Sequence, residues 1–267
     1  MFTSFYAFST FFIAVVVLNI SLIIFLGGKN TSSKLFALAA FFHFLWLFSV
    51  GIAYLLTDPI LVALAVRNGY FVGLSIPFIL FFFSLIYPEN REISRNMKYV
   101  ILFGIFCIFI LVYAKDIFSL FRPYLGDLIS EQTIITASKI TKNGYLGWDF
   151  GFLIQFWAML FYGLGFSFVA TLYQKYIFQT DELLRKQALF MLLAMVIGMS
   201  GVFLCNIMLP IMGIFSLFWF GVLTSLGWVA VVGYSIIKQG QMKVHTVTAE
   251  LLVVALILIM FIGMFAV

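Results

Sequence analysis

Eight times between residue 4 and residue 267 the sequence runs apolar for seventeen residues or more before polar side chains interrupt it. About 20 apolar residues in a helix cross the hydrocarbon core of a bilayer. A chain in that core has no water with which to pair its backbone N–H and C=O groups, so each run has to pair them internally, as a helix. The runs fall near residues 4–27, 35–57, 60–87, 98–114, 148–174, 187–209, 212–237 and 248–267. They predict an all-α polytopic bundle, with a seven-helix domain over 1–247, an outer loop at 115–147 and an additional C-terminal transmembrane helix at 248–267. A large soluble core is the competing explanation, and composition disfavours it. Only 9% of the chain is charged, against roughly 25% in soluble domains, and Phe alone occurs 35 times.

The first run has no basic segment before it and no small-residue cleavage site after it, so it reads as an uncleaved helix. Cys107 and Cys205 both lie inside apolar runs without a CxxC or His-flanked pattern, and are expected to be small core residues. Orientation follows from the basic residues. The joints after helices one, three, five and seven carry Lys29, Lys34, Arg91, Arg95, Lys98, Lys175, Arg185, Lys186, Lys238 and Lys243. The other side holds Arg67, Lys115, Arg122, Lys139 and Lys142, diluted by Asp116, Asp127, Glu131 and Asp149. The excess of Lys and Arg on cytoplasmic loops then puts the N-terminus outside a cell (plasma) membrane and the end of helix seven in the cytoplasm. In the outer loop, EQTIITASKIT alternates β-branched residues and Asn143-Gly144 is a turn dipeptide, which predicts a short strand or hairpin between helices 4 and 5. Such a hairpin would serve as a lid over the outer mouth or as a plain connector.

Polar side chains inside hydrocarbon are expensive, and each is a candidate for function or for a bond between helices. Asn19, Gln155 and Asn206 read as interhelical polar contacts, and Thr224 with Ser225 as polar positions in helix seven. Arg67, beside Asn68, Gly69 and Tyr70, is placed near the outer interface, where it can bind an anion, snorkel to headgroups or pair with Asp58 or Asp149. His43 stands among Phe41, Phe42, Phe44 and Trp46, suited to an interhelical hydrogen bond or to titration as a sensor. Trp148 and Asp149 are expected to begin helix five, with Trp157 deeper in it. The candidate ligand-binding set is therefore Arg67, Tyr70, Trp148, Asp149, His43 and Trp46, lining an outward-facing cavity. Arg185, Lys186 and Lys238 are the candidates for cytoplasmic-face signalling. Gly69-x-x-x-Gly73, Gly147-x-x-x-Gly151 and Gly163, Gly165, Gly198 and Gly201 predict close helix contacts, and Pro77 a bend in helix three.

Several chemistries lack their residues. Helix seven has no central lysine for a retinal Schiff base, and His43 and His245 are the only histidines, with no HExxH. No phosphate-binding loop occurs, and the ionisable relay of a proton-coupled transporter is missing. No metal, cofactor or catalytic residue is expected.

Three features carry a family resemblance: Arg185 and Gln187 before helix six, Asn206 with Leu209-Pro210 at its end, and the exit Tyr234-Ser235-Ile236-Ile237-Lys238 from helix seven. This stretch resembles the last third of the seven-transmembrane sensor region at the N-terminus of bacterial and archaeal sensor histidine kinases. "FFFSLIYP" resembles that family's helix-three ending, "GYLGWDFGFLIQFWAMLFYGLGF" its start of helix five, and "MKVHTVTAELL" the segment that follows in some of its kinases. The resemblance implies a signal-input module of two-component signalling, dimeric, with its N-terminus outside. The 267 residues hold no histidine phosphorylation box, no ATP-binding lid and no receiver domain, so the chain is not expected to be an enzyme. The expected partners are the lipid bilayer, a small-molecule or lipid ligand and a second copy of the chain, and no nucleic acid. The alternatives are a transporter of small solutes or lipids and a non-catalytic membrane scaffold. Helix eight would leave Val267 outside, so either a ninth helix and catalytic domains are expected beyond a truncation, or the chain is a free-standing relative.

Overall fold

The computed structural model describes residues 2–89, 91–119, 135–140, 146–150, 153–209, 212, 214 and 217–236. Seven α-helices lie among them: α1 (Phe2–Gly27), α2 (Thr31–Leu55), α3 (Pro59–Ile86), α4 (Arg95–Ser119), α5 (Leu153–Phe178), α6 (Glu182–Phe203) and α7 (Phe218–Ile236). Between α4 and α5, strands β1 (Ile135–Ile140) and β2 (Leu146–Phe150) pair antiparallel, with Trp148 opposite Ser138 and Asp149 opposite Ala137. A π-helical turn, Leu204–Met208, continues α6.

By length and composition α1 to α4 and α6 can cross a membrane, and α7 carries a shorter apolar core, Phe220–Tyr234. Their limits have local causes. Asp58 caps α3 by accepting from the Ile60 and Leu61 N–H groups, and Pro59 opens the helix with a φ already suited to its first turn. Asp181 does the same for α6 through Leu183 and Leu184. α3 runs through Pro77, which has no N–H to offer the Gly73 carbonyl one turn back.

Two expectations from the sequence are corrected. α5 starts at Leu153 rather than 148, because Trp148 and Asp149 belong to β2, so Gly147 is a strand residue and not part of a helix-packing motif. α4 extends from Arg95 to Ser119, beyond the apolar run at both ends. Helix eight, Lys238 and most of the outer loop lie outside the described residues.

The helices close into a ring. α1 packs on α2, α2 on α3, α3 on α5, α5 on α6, α6 on α7, and α7 back on α1. α4 stands outside this ring, chiefly against α3. Burial follows: 72% of the apolar span of α3 is buried and 17% of that of α4, so α3 is the central stave and α4 a peripheral one. The ring is filled by large apolar side chains. Phe36 meets Trp228 and Phe83 at centroid distances of 5.9 and 6.0 Å, and Phe83 stacks on Tyr87 at 4.9 Å. Phe8, Leu26, Phe103, Phe166, Phe178 and Ile197 point outward. A surface so apolar has its partner in lipid rather than water.

Candidate functional site

His43 lies at the midpoint of α2 and is almost fully buried. Its Nε2 is 3.0 Å from Ser225 Oγ on α7. The Ser225 hydroxyl has one proton, and it is given to the Val222 carbonyl at 2.6 Å. With that proton on Val222, the arrangement fits the tautomer in which His43 Nε2–H donates to Ser225. Two indoles hold the ring edge-on, Trp46 at 5.4 Å and Trp228 at 5.3 Å.

Trp46 packs against two glycines of α3, at distances where a Cβ would make ordinary van der Waals contact. A Cβ built at Gly73 would stand 3.5 Å from its Cδ1, and Gly69 faces the same indole. One turn along, Trp157 of α5 donates its indole N–H to the Tyr70 carbonyl at 2.9 Å and meets the Tyr70 ring edge-on at 4.9 Å. A buried indole N–H needs such a partner. Replacing Trp157 by Phe removes the hydrogen bond and part of the buried ring surface, so a loss of about 2 kcal/mol is expected, read by thermal unfolding in nanodiscs. Full wild-type stability would contradict the bond.

These side chains line a partly open cavity of about 80 Å³ between α2, α3, α5, α6 and α7. Since ~10–15 Å³ suffices for one water, it holds several waters or a small organic molecule. The lining is aromatic and aliphatic, with Met195 and Met199 on the α6 side. Among the described residues that line it, none carries a formal charge. Asn206 is its one described side-chain amide. It sits in the π-helical turn, is 5% exposed, and both Oδ1 and Nδ2 are buried without a protein partner. Leaving one such group unpaired costs about 1–3 kcal/mol, and π-helical turns inside α-helices are frequent at functional sites. The amide lies against Gly221 of α7, where a Cβ would collide with it.

Of the six residues read from the sequence as a ligand site, His43, Trp46 and Tyr70 line this cavity. Arg67 is half-buried one turn before Tyr70 and is not part of the lining. Trp148 and Asp149 lie on β2, and their side chains are outside the described residues. Of the interhelical amides, Asn206 abuts α7. Asn19 instead donates to the Val15 carbonyl of its own helix, because an exposed amide on a helix reaches its own backbone more easily than a neighbour's. The Gln155 side chain is outside the described residues. Asn68 accepts from Tyr113 at 2.6 Å and joins α3 to α4. On the charged face Arg185 is exposed, and Lys186 pairs with Glu182 at 2.6 Å on the surface.

Lys175 was counted in the sequence only as a loop charge. Its ammonium donates to the carbonyls of Leu85 (3.0 Å) and Tyr87 (2.6 Å) and to Glu89 (3.3 Å), tying the end of α5 to the end of α3. Trp228 and Met199 had no signal, since both sit in runs that are apolar on every side. Among the described residues no group of three or more His, Cys, Asp or Glu could hold a metal ion.

A family model described as the N-terminal 7TM region of histidine kinase matches residues 9–239, which include every described residue that lines the cavity. No curated protein matches the chain.

Proposed function

Because this chain belongs to the family of N-terminal 7TM regions of histidine kinases, we propose that it detects a small molecule or lipid in the cavity and passes the event on as a shift of α7. All seven helices cross the plasma membrane in this reading, with the N-terminus outside and the β1–β2 pair on the outer side. The functional partner is a histidine kinase output, held in a dimer. The observation that carries the reading is the His43–Ser225 bond, which joins the cavity wall on α2 to α7, the last helix of the matched region. Occupation of the cavity that disturbs His43 or its two indoles favours one packing of α7 over another, and a ligand can shift such an equilibrium only by its difference in affinity for the two packings.

The test is a chimera in which α7 leads into the dimerisation and catalytic domains of a histidine kinase. His43→Phe and Ser225→Ala each remove the bond between α2 and α7. Both are expected to change basal autophosphorylation at least fivefold and in the same direction. Activity equal to the parent chimera in both variants sinks the coupling.

A further inference from the structure

We propose that the cavity is selective for an uncharged, largely apolar molecule bearing one head group that places a hydrogen-bond donor beside an acceptor, as an amide or a neutral carboxylic acid does, and that Asn206 holds this head. This deepens the sensory reading by naming the class of ligand.

Three observations converge on that chemistry. The Asn206 side chain offers an acceptor at Oδ1 and two donors at Nδ2, both atoms are buried without a protein partner, and the residue is part of the cavity lining. A ligand with donor and acceptor side by side satisfies the two together in a cyclic pair. A ligand carrying an acceptor alone leaves Oδ1 unpaired. The second observation is charge. No described lining residue bears one, and an ion held there would have no counter-charge in a low-dielectric interior, which excludes carboxylates, phosphates and ammonium groups as the favoured occupants. The third is the body of the site. Trp46, Trp157, Trp228 and Tyr70 supply flat faces and edges for a ring or a short chain, and Met195 and Met199 supply soft thioethers that adapt to its outline.

The Gly221 contact fixes the head-group site in place. Asn206 Oδ1 is the amide atom nearest to the room left by the missing Cβ, and Nδ2 lies farther from it, so the side chain is held against α7. Water can satisfy the same atoms, and the test separates the two.

Three of the five tryptophans line the cavity, so their fluorescence reports occupancy without any signalling output. The full chain in nanodiscs is titrated with three probes of one shape: 2-phenylacetamide, its anionic counterpart phenylacetate, and propylbenzene. Saturable quenching is expected with the amide, with affinity at least tenfold above either other probe. Asn206→Leu, close to Asn in size, is expected to weaken the amide at least tenfold while melting at or above the wild-type temperature. Gly73→Leu, which builds a side chain into the cavity from α3 beside Trp46 and Trp157, is expected to abolish the signal. Equal binding of propylbenzene and the amide, or amide binding unaffected by Asn206→Leu, overturns the proposal. So does the absence of saturable quenching by the amide, which leaves a water-filled cavity. Amide binding that leaves the activity of the kinase chimera unchanged counts against the sensory reading alone.

Discussion

Gly198→Leu is expected to destabilise the chain by about 3 kcal/mol, through overpacking at the seam between α6 and α7. A Cβ built at Gly198 stands 2.6 Å from the Trp228 Cβ and 2.9 Å from its Cδ1, both near the root of that side chain, where a rotamer change gives little relief. Gly201 receives Thr224 in the same way, and Gly221 receives Asn206 in the opposite sense. The two helices therefore interlock, each offering glycine to the other's side chain, as close helix packing in membranes requires. A Leu at 198 pushes Trp228 off its edge contacts with His43 and Phe36 as well as forcing α7 outward. For a chain of this size ~3 kcal/mol corresponds to roughly 6–12 °C in melting temperature. Gly163→Leu is the control. A Cβ there meets nothing within 4 Å, and the change is expected to be neutral or slightly stabilising, since leucine favours a helix more than glycine does. Equal melting of the two variants would remove the interlock from consideration.

Lys175→Met should cost a similar amount for a different reason. The last carbonyls of a helix have no partner within it, and here those of Leu85 and Tyr87 are closed by one ammonium whose side chain is only 16% exposed. Methionine preserves the apolar stem and removes all three hydrogen bonds. Each bond to a charged group contributes ~1.5–3 kcal/mol when sheltered, and partial exposure and new waters recover part of that, giving a net loss of about 3 kcal/mol. Glu89 keeps Arg91 at 3.1 Å and is not stranded, so the loss comes mainly from the backbone carbonyls. Lys186→Met provides the comparison. Its pair with Glu182 is exposed on both sides and spaced i,i+4, so the expected loss is at most ~0.5 kcal/mol. Thermal unfolding of the two variants side by side checks the prediction. A Lys175→Met protein as stable as Lys186→Met would show that α3 and α5 do not depend on this bond.

The helices were legible because hydrocarbon leaves a chain few options, and polar interruptions of the apolar runs mark most joints within a few residues. His43, Trp46 and Tyr70 were legible for a related reason, as polar or aromatic side chains that a buried segment keeps only with partners. Trp148 and Asp149 were misassigned because a short apolar run has no period that separates helix from strand when one end abuts a connector. The π-helical turn that carries Asn206 leaves no mark in residue spacing. Lys175 joins groups 88 and 90 residues away, a reach that no local pattern encodes. Trp228 and Met199 were hidden in helices apolar all round, where there is no polar face to show which side turns inward.

A closed ring of helices has no free edge, so a displacement of any one stave must be taken up as slip at a boundary on either side of it. The reciprocal glycines leave α6 and α7 little room to slide past each other, while the described glycine contacts of α1 with α7 and of α5 with α6 are looser: Gly233 would bring a Cβ to 3.1 Å from Ile20, and Gly165 meets only the flexible end of Met199. If the cavity signals as proposed, α6 and α7 act as a single lever hung between two looser boundaries, and a push on Asn206 or Ser225 moves both helices together.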